Sequence, residues 1–244
     1  MESSIGCNST VLISGGGHDL GAALASVFGE RCYRVVIIGR SVDLLKQLAG
    51  SLSERGVTCG WYQCDITDWS AIESVGRDIE QRFGPVDVLV NNAGGWLGET
   101  IENAAPEALR ALLNGCVLGA MYCSKVVLPG MKKNRDGFIL NIGSTSGLLS
   151  SRDSAAASSP KAAINLFTHT LAREVAGYGV RVAVLHPSHV SKNLSSADAE
   201  AGDSLGTFKY ISQRQVADVA LYMVEQPRNV LIREAIVMPS STDL

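Results

Sequence analysis

The chain has 244 residues, 46% of them hydrophobic, and 21 Lys and Arg against 24 Asp and Glu give it a formal net charge of −3. This length and apolar content predict one domain, residues 1–244, built around a large core. Because the longest basic run is Lys132-Lys133, the composition indicates neither a nucleic-acid surface nor a membrane surface.

The cysteines bear on the compartment and on metal binding. The six cysteines are scattered, with no C-x-x-C spacing and no pairing with histidines, so neither a metal site nor a disulfide framework is predicted. No charged-then-apolar signal opens the chain, and no apolar run approaches the roughly 18 residues of a membrane span. We therefore expect a soluble, cytoplasmic protein.

Strand and helix patterns alternate along the chain. Short apolar runs, typical of buried strands, alternate with segments whose apolar residues recur at helical spacing. The predicted strands are 10–14, 34–39, 60–63, 86–90, 137–143, 180–186 and 233–238. Four predicted helices begin at Leu20, Ser41, Asp68 and about Ala105. A fifth contains Lys161, and a sixth follows a capping box formed by Ser212 and Gln215. The helix at 105–131 is interrupted at Asn114-Gly115 and ends near Pro129-Gly130. This order predicts an α/β, doubly wound Rossmann domain with a seven-stranded parallel sheet and helices on both faces.

A glycine-rich turn joins the first predicted strand to the first helix. Such a turn points free N–H groups beyond the strand end and suits a pyrophosphate. The spacing here is Gly15-x-Gly17-x-x-x-Gly21, and an alternative register would need glycine at Asp19. Aspartate can adopt left-handed backbone and cap a helix, but its carboxylate repels a pyrophosphate unless it is turned away. On this motif alone, nucleotide binding and a purely structural turn are both open.

The second predicted strand ends in Gly39-Arg40-Ser41. In dinucleotide folds an acidic residue near this point binds the ribose 2′-hydroxyl, whereas a small residue followed by arginine accommodates a 2′-phosphate. The sequence therefore favours NADP(H), with His18 able to assist, and the alternative is that Arg40 is an ordinary surface charge. Ser41 is also expected to cap the helix that follows.

A polar segment at about 187–210 follows the sixth predicted strand. It lies at the carboxyl end of the sheet, where ligands of open α/β folds bind. A mobile lid over a bound substrate and an ordinary surface insertion are equally compatible with its composition.

Several strand-end motifs, taken in order and spacing, resemble those of the short-chain dehydrogenase/reductase family over nearly the whole chain. They are the glycine turn at 15–21, Asp65, Asn91-Asn92-Ala93-Gly94, Asn114, Asn141-Ile142-Gly143-Ser144, Lys161 and Pro187. The resemblance implies an NADP(H)-dependent oxidoreductase that transfers a hydride to a C=O or C=N group of a small, apolar substrate.

The resemblance also implies a role for each matching position. Ser144 would bind the reacting oxygen of the substrate, Lys161 the nicotinamide ribose, and Asn114 a water linked to Lys161; a polar helix kink at Asn114 and a strand-end cap at Ser144 are the structural alternatives. Asp65 and Ile66 would hold the adenine, and 91–94 would line the groove. The implied cofactor-binding set is Gly15, Gly17, His18, Asp19, Leu20, Gly21, Arg40, Ser41, Asp65, Ile66, Asn92, Ala93, Gly94, Lys161, Pro187 and Val190.

Three further residues are expected near the substrate. Trp96, with its neighbour Leu97, and His189 would face it, although a loop packed on the last helices would also explain Trp96. The fourth and fifth predicted helices are rich in small apolar residues, and in similar proteins such helices pair across a homodimer or homotetramer.

The tyrosine of the family is absent at its expected position. It should stand four residues before Lys161 and thirteen after Ser144, and both counts give Ala157. Loss of a positioned proton donor typically costs a factor of about 10² to 10⁴ in rate.

Three explanations for Ala157 stay open. In the first, the chain is a redox catalyst. Either its substrate is an iminium cation, which needs no such acid and which Asp153 would stabilise, or another residue (Asp153, Tyr122 or His189) serves as the acid in place of the tyrosine. In the second, the chain is a non-redox catalyst (cyclase, isomerase or dehydratase) or a ligand binder. In the third, it is an ordinary reductase carrying an introduced substitution at 157.

Overall fold

A parallel sheet forms the centre of the protein. The structure is a computed structural model, which describes residues 5–17, 19–148, 154–191 and 209–241. Its strands are β1 Thr10–Ser14, β2 Arg34–Gly39, β3 Cys59–Gln63, β4 Val88–Asn91, β5 Gly137–Ile142, β6 Val180–Pro187 and β9 Glu234–Val237. They lie in the order β3-β2-β1-β4-β5-β6-β9. Two short strands, β7 Val190–Ser191 and β8 Ile211–Ser212, pair separately and were not predicted.

Helices cover both faces of this sheet. They are α1 Leu20–Glu30, α2 Val42–Glu54, α3 Trp69–Phe83, α4 Pro106–Leu113, α5 Gly119–Asn134, α6 Ala155–Val175 and α7 Gln213–Val224, with a π-helical turn at Asn114–Leu118. Successive strand residues point to opposite faces, so Val11 and Ile13 pack with α1, α2 and α7, whereas Leu12 packs with α3, α5 and α6. The predicted α/β Rossmann-like fold with a seven-stranded parallel sheet is confirmed.

The strand order changes direction at β1. This strand pairs with β2 on one side and with β4 on the other, and all of these pairs are parallel. The carboxyl ends of the strands therefore meet at one edge, and a crevice opens where the order reverses. In open α/β sheets this crevice is where ligands bind.

The sequence predicted the starts of α3 and α7 correctly but not the end of α5. The capping box of Ser212 and Gln215 starts α7, as predicted. The helix expected from Asp68 is α3, and Asp68 caps it by accepting hydrogen bonds from the N–H groups of Ser70 and Ala71. The helix expected to close near Pro129 instead continues to Asn134. Pro129 lies on the exposed side of α5, where water can solvate the carbonyl group that proline leaves without an N–H partner.

The helical stretch Pro106–Asn134 corrects one expectation from the sequence. It spans 29 residues and, within the described part of the chain, meets the length and composition criteria for crossing a membrane. A core helix of a soluble protein passes the same test, and here Cys123, Val127 and Met131 pack against the sheet. The stretch is therefore weak support for a membrane location, and a cytoplasmic location stays a prediction.

Candidate functional site

A cavity of about 670 Å³ lies at the carboxyl ends of β1 to β4, where the strand order reverses. Its volume is in the range of small-molecule and cofactor sites. Most of its predicted members do line it: Gly15, Gly17, Asp19, Leu20, Arg40, Ser41, Asp65, Ile66, Asn92, Ala93, Gly94, Trp96, Leu97 and Asn114. The loops after four strands and the π-helical turn thus contribute to one space.

The glycine turn after β1 is fastened to the loop after β4. Gly15 has φ +65°, and a Cβ there would lie 2.9 Å from Cα of Ala93, while a Cβ at Gly21 would overlap the carbonyl oxygen of Gly15. Nδ2 of Asn92 donates to the carbonyl oxygens of Ser14 and Gly15, at 3.2 Å each. Oγ of Ser14 accepts from the N–H groups of Asn92 and Ala93. Sequence reasoning missed Ser14, whose only signal was its position beside the glycines.

Asp19 stands at the start of α1 with φ 53° and ψ −133°. The positive φ was expected, but this ψ is not that of the left-handed helical region. Within the described residues its side chain makes no hydrogen bond that caps α1, although aspartate could do so; its carbonyl oxygen accepts from the N–H groups of Ala22 and Ala23. A carboxylate thus borders the turn that was predicted to hold an anion.

Arg40 and Ser41 form the wall beside the start of α2. Nε2 of Gln63 donates to the carbonyl oxygen of Arg40 at 3.3 Å, which ties this loop to β3. Ser41 is the N-cap residue of α2, but in the described part of the chain its hydroxyl makes no capping bond, contrary to the prediction. A guanidinium, a hydroxyl and a helix N-terminus at one wall are a donor set that suits a phosphate.

Asp65 lines the same cavity from the loop after β3, next to the loop of Arg40. Its Oδ1 accepts hydrogen bonds from N–H of Thr67 at 2.9 Å and from Oγ1 of Thr67 at 2.8 Å. These two bonds, the backbone one first, lower the pKa of the Asp65 carboxyl. The carboxylate is therefore ionised and held in one orientation.

Ser144 follows β5 and begins a 3₁₀ turn, Thr145–Gly147, outside the lining of the cavity. Its Oγ accepts from N–H of Ser146 at 3.3 Å and from Oγ of Ser146 at 3.0 Å. These bonds occupy lone pairs of Ser144 Oγ and leave its own hydrogen to be donated. Ser146, which sequence reasoning missed, thereby orients the hydroxyl of Ser144.

Lys161 and Ala157 lie one turn apart on α6, close to this serine turn. Nζ of Lys161 donates to the carbonyl oxygen of Ile142 at 3.2 Å, and burial lowers the pKa of Lys161. A Cβ at Gly147 would lie 2.6 Å from the carbonyl carbon of Lys161, so the serine turn packs directly on α6. The structure therefore brings Ser144, Lys161 and Ala157 to one place, but Ala157 is only 4% exposed and offers a methyl group that cannot donate a proton.

The loop after β4 reaches the start of α6. Oγ of Ser154 donates to the carbonyl oxygen of Leu97 at 2.6 Å and accepts from N–H of Ala157. The neighbouring Trp96 lines the cavity, with 69% of its surface exposed. Tyr122, one of the displaced acids considered, packs its ring on Trp69 between α5 and α3.

The remaining candidates lie at the end of β6 or outside the described residues. Pro187 is the last residue of β6, Val190 belongs to β7, and the exposed His189 has φ 50° and shares a hydrogen bond of 2.7 Å with Oγ of Ser188. None of these three is in the lining of the cavity described above. His18, Asp153 and residues 192–208 of the predicted lid lie outside the described residues.

Asn91 does not line the cavity, contrary to the prediction, because its side chain points into the core. Its Nδ2 donates to Oδ1 of Asn141 at 2.8 Å and to Oγ of Ser124 at 3.3 Å. Nδ2 of Asn141 in turn donates to Oγ1 of Thr168 at 2.7 Å. This buried chain of side chains links β4 and β5 to α5 and α6.

Comparisons with known proteins agree with this architecture. The family model described as short chain dehydrogenase matches residues 9–202. An uncharacterized oxidoreductase of Staphylococcus saprophyticus is 30% identical over 230 residues, which cover 93% of this chain and 96% of that protein.

Two similar solved structures have descriptions that name a nicotinamide nucleotide. A metagenomic short-chain oxidoreductase in complex with NADP is 26% identical with a TM-score of 0.82, covering 96% of this chain and 98% of that one. An actinorhodin polyketide ketoreductase variant with NADPH is 26% identical with a TM-score of 0.85, covering 96% of this chain and 97% of that one.

Proposed function

Because the chain belongs to the short-chain dehydrogenase family, we propose that it is an NADP(H)-dependent oxidoreductase that transfers a hydride to a C=O or C=N group of a small, apolar substrate. The observation that carries this proposal is the cavity at the strand-order reversal. It combines the glycine turn, Arg40 with Ser41, and Asp65 in one space.

The residues around the cavity fit a phosphorylated dinucleotide. The turn at Gly15 and Gly21, which leaves no room for a Cβ, would hold the pyrophosphate at the start of α1. Arg40 and Ser41 would bind the 2′-phosphate, with His18 assisting. Asp65 and Ile66 would hold the adenine, and 92–94 would form the wall towards Ser144. The NADP and NADPH named for two similar structures support this assignment, whereas the charge of Asp19 opposes it.

The chemistry is divided between the cofactor and two side chains, Ser144 and Lys161. When bound, the nicotinamide ring supplies the hydride. Ser144 would donate its hydroxyl hydrogen to the reacting oxygen of the substrate, and Lys161 would bind the nicotinamide ribose. A C=O group needs a proton as it is reduced, which the methyl of Ala157 cannot give, whereas a C=N cation yields a neutral amine without that proton.

Nucleotide titration tests the cofactor assignment. We expect NADPH to quench tryptophan fluorescence, and Arg40→Ala to weaken NADPH binding about tenfold or more through loss of a charge-assisted bond while leaving NADH binding unchanged. Arg77→Ala, on the exposed side of α3, is the matched control. Equal effects on both nucleotides would contradict the 2′-phosphate role of Arg40, and absence of binding at millimolar NADPH would contradict redox function altogether.

The buried methyl of Ala157 favours a second candidate, a non-redox catalyst (cyclase, isomerase or dehydratase) or a ligand binder with this fold. The pair Ala157→Tyr and Ala157→Phe separates the possibilities, because both variants add a ring and only tyrosine adds an acid. If 157 carries an introduced substitution, Ala157→Tyr should raise carbonyl reduction by about 10² to 10⁴ and Ala157→Phe should not. NADPH binding with no gain from the tyrosine would instead indicate different chemistry, such as reduction of an iminium cation beside Asp153.

A further inference from the structure

A fully buried histidine lies directly behind Ser144. His186, near the end of β6, has its Nδ1 3.1 Å from the carbonyl oxygen of Ser144. Gly143 makes this approach possible, because a Cβ at that position would overlap the His186 ring. A carbonyl oxygen only accepts hydrogen bonds, so this contact holds Ser144 when the ring carries a hydrogen on Nδ1.

The opposite nitrogen of the same ring faces a carboxylate. Nε2 of His186 lies 3.3 Å from Oε1 of Glu234, and Oε2 of Glu234 lies 3.3 Å from Nε2 of His169. Nε of Arg233 donates to Nδ1 of His169 at 3.0 Å, so the hydrogen of a neutral His169 lies on Nε2 and points at Glu234. A chain of polar contacts thus runs from the back of Ser144 to the exposed Arg233.

Two acceptors therefore compete for His186. A neutral imidazole has one N–H: on Nδ1 it donates to the carbonyl of Ser144, and on Nε2 it would lie beside the carboxylate of Glu234, which is at ion-pair distance although Nε2 makes no hydrogen bond among the described residues. At the contact without the hydrogen, the lone pair of the ring nitrogen faces an acceptor oxygen. A protonated ring keeps its Nδ1–H bonded to the carbonyl of Ser144 and at the same time places its positive charge at ion-pair distance from Glu234.

We propose that His186 is a positioning residue for Ser144, and that its hold on the Ser144 turn tightens when the ring gains a second proton. The proposal rests on the proposed function only in giving Ser144 a role at the substrate; the contacts themselves need no ligand. The charged and titratable groups that face the ring are Glu234 from β9 and His169 and Lys161 from α6. Burial is the main cause that lowers the pKa of His186, so the ring is neutral at pH 7 and the tighter state forms in acid.

Nitrogen NMR of the histidine rings in the ligand-free protein tests the competition. At pH 7.5 we expect the His186 hydrogen to be divided between Nδ1 and Nε2, and both nitrogens to be protonated once the pH falls below the pKa of the ring. Glu234→Gln should shift the hydrogen to Nδ1, because the amide can donate to Nε2. A hydrogen that resides on one nitrogen regardless of pH and of Glu234→Gln would overturn the competition.

Amide hydrogen exchange tests the hold on the turn. The N–H of Gly147 bonds to the carbonyl oxygen of Ser144, so its exchange reports on this turn. We expect His186→Leu to speed this exchange by about three- to tenfold, the effect of one lost hydrogen bond, and His186→Asn, whose amide can replace Nδ1–H, to restore it. Should His186→Leu fail to fold, Gly143→Ala, which keeps the ring but displaces it, should speed the same exchange.

The NADPH dissociation constant separates the two proposals. It should change far less in His186→Leu than in Arg40→Ala, because Arg40 lines the cavity assigned to the phosphates of the nucleotide and His186 does not. Loss of NADPH binding by the wild-type chain would contradict the proposed function and leave the exchange and NMR results valid. Unaltered exchange at Gly147 in both His186→Leu and Gly143→Ala would overturn the positioning role itself.

Discussion

At the scale of single residues, Asp19 in the glycine turn is unfavourable both for the stability of the fold and for the proposed binding of a nucleotide. Its φ of 53° and ψ of −133° suit glycine, and a non-glycine residue held in such a region typically costs about 1–3 kcal/mol. Its carboxylate also borders the proposed pyrophosphate position, where negative charge weakens anion binding. These costs act on different equilibria, the first on folding and the second on nucleotide affinity.

Substitutions at Asp19 should separate the two costs. We expect Asp19→Gly to raise the free energy of unfolding by about 1 kcal/mol and also to lower the Kd for NADPH. Asp19→Asn keeps the side chain at the same backbone angles but removes the charge, so it should tighten NADPH binding with little gain in stability. Urea unfolding and fluorescence titration measure the two quantities. Weaker NADPH binding by Asp19→Gly would mean that the aspartate contributes to the cradle.

Lys161 makes folding stability depend on pH in a predictable direction. Burial lowers its pKa below the usual value near 10.5, so the folded chain loses this proton at lower pH than the unfolded chain. Between the two values the unfolded chain binds more protons, and the free energy of unfolding therefore rises with pH. Lys161→Met lacks this contribution. We expect the stability of wild type relative to Lys161→Met to increase from pH 7 to pH 10 in urea unfolding, and a flat or falling difference would contradict the effect of burial.

At the scale of strands and helices, the buried amide chain of Asn91 and Asn141 joins β4 to β5. Removing the Asn91 amide leaves the buried Oδ1 of Asn141 without its donor, and removing the Asn141 amide takes away the shortest hydrogen bond of Asn91 Nδ2, which keeps its contact with Ser124; we expect each loss to cost about 1–3 kcal/mol. Asn91→Ala and Asn141→Ala should each destabilise the fold by this amount, and the double variant by less than the sum, with a coupling of about 0.5–3 kcal/mol in urea unfolding. Asn103→Ala, which removes an exposed bond to Thr100, is the control and should change stability by less than about 0.5 kcal/mol.

The strands could be predicted from the sequence because buried parallel strands are continuous apolar runs, as at Val35–Ile38 within β2. The Asp68 cap and the Ser212 box were also predictable, since the groups they join are within three residues of each other. The interruption at Asn114 was predicted, but its π-helical form was not. The π-helical turn is followed by Gly119, where a Cβ would overlap Ile66. This close contact joins residues that are far apart in the chain, so it could not be seen in the local sequence.

The candidate site was predictable where its residues follow strands in a recognisable order. Asn91 was placed on the wrong side because neighbouring residues at a strand end face opposite ways, and only the structure shows that Asn92 is the one facing the cavity. Ser14, Ser146 and His186 were missed for a different reason. Their contacts depend on the shape of turns or on strands that are distant in the sequence. His186, for example, is 42 residues from Ser144.

At the scale of the whole molecule, α5 and α6 leave apolar surface uncovered on the chain. Leu166 on α6 is 69% exposed, and Met121 on α5 is also exposed. A shallow depression of about 350 Å³ between these helices is lined by Met121, Leu128, Phe167 and Leu171, among others. Exposed apolar side chains and an apolar depression on neighbouring helices are features of interaction sites, which supports the proposal of a homodimer or homotetramer through these helices.

Leu166→Glu tests whether copies of the chain associate through this surface. Placing a charge at a buried subunit interface costs several kcal/mol, whereas on a solvent-facing helix it costs almost nothing. We therefore expect wild type to be a dimer or tetramer in light scattering after gel filtration, and Leu166→Glu to dissociate it with little change in circular dichroism. Tyr222→Glu on α7, where the side chain is similarly exposed at 62%, is the control and should leave the assembly intact. A monomeric wild type at tens of micromolar would contradict the assembly, and a Leu166→Glu chain that remains assembled would require the contact to lie elsewhere on the surface.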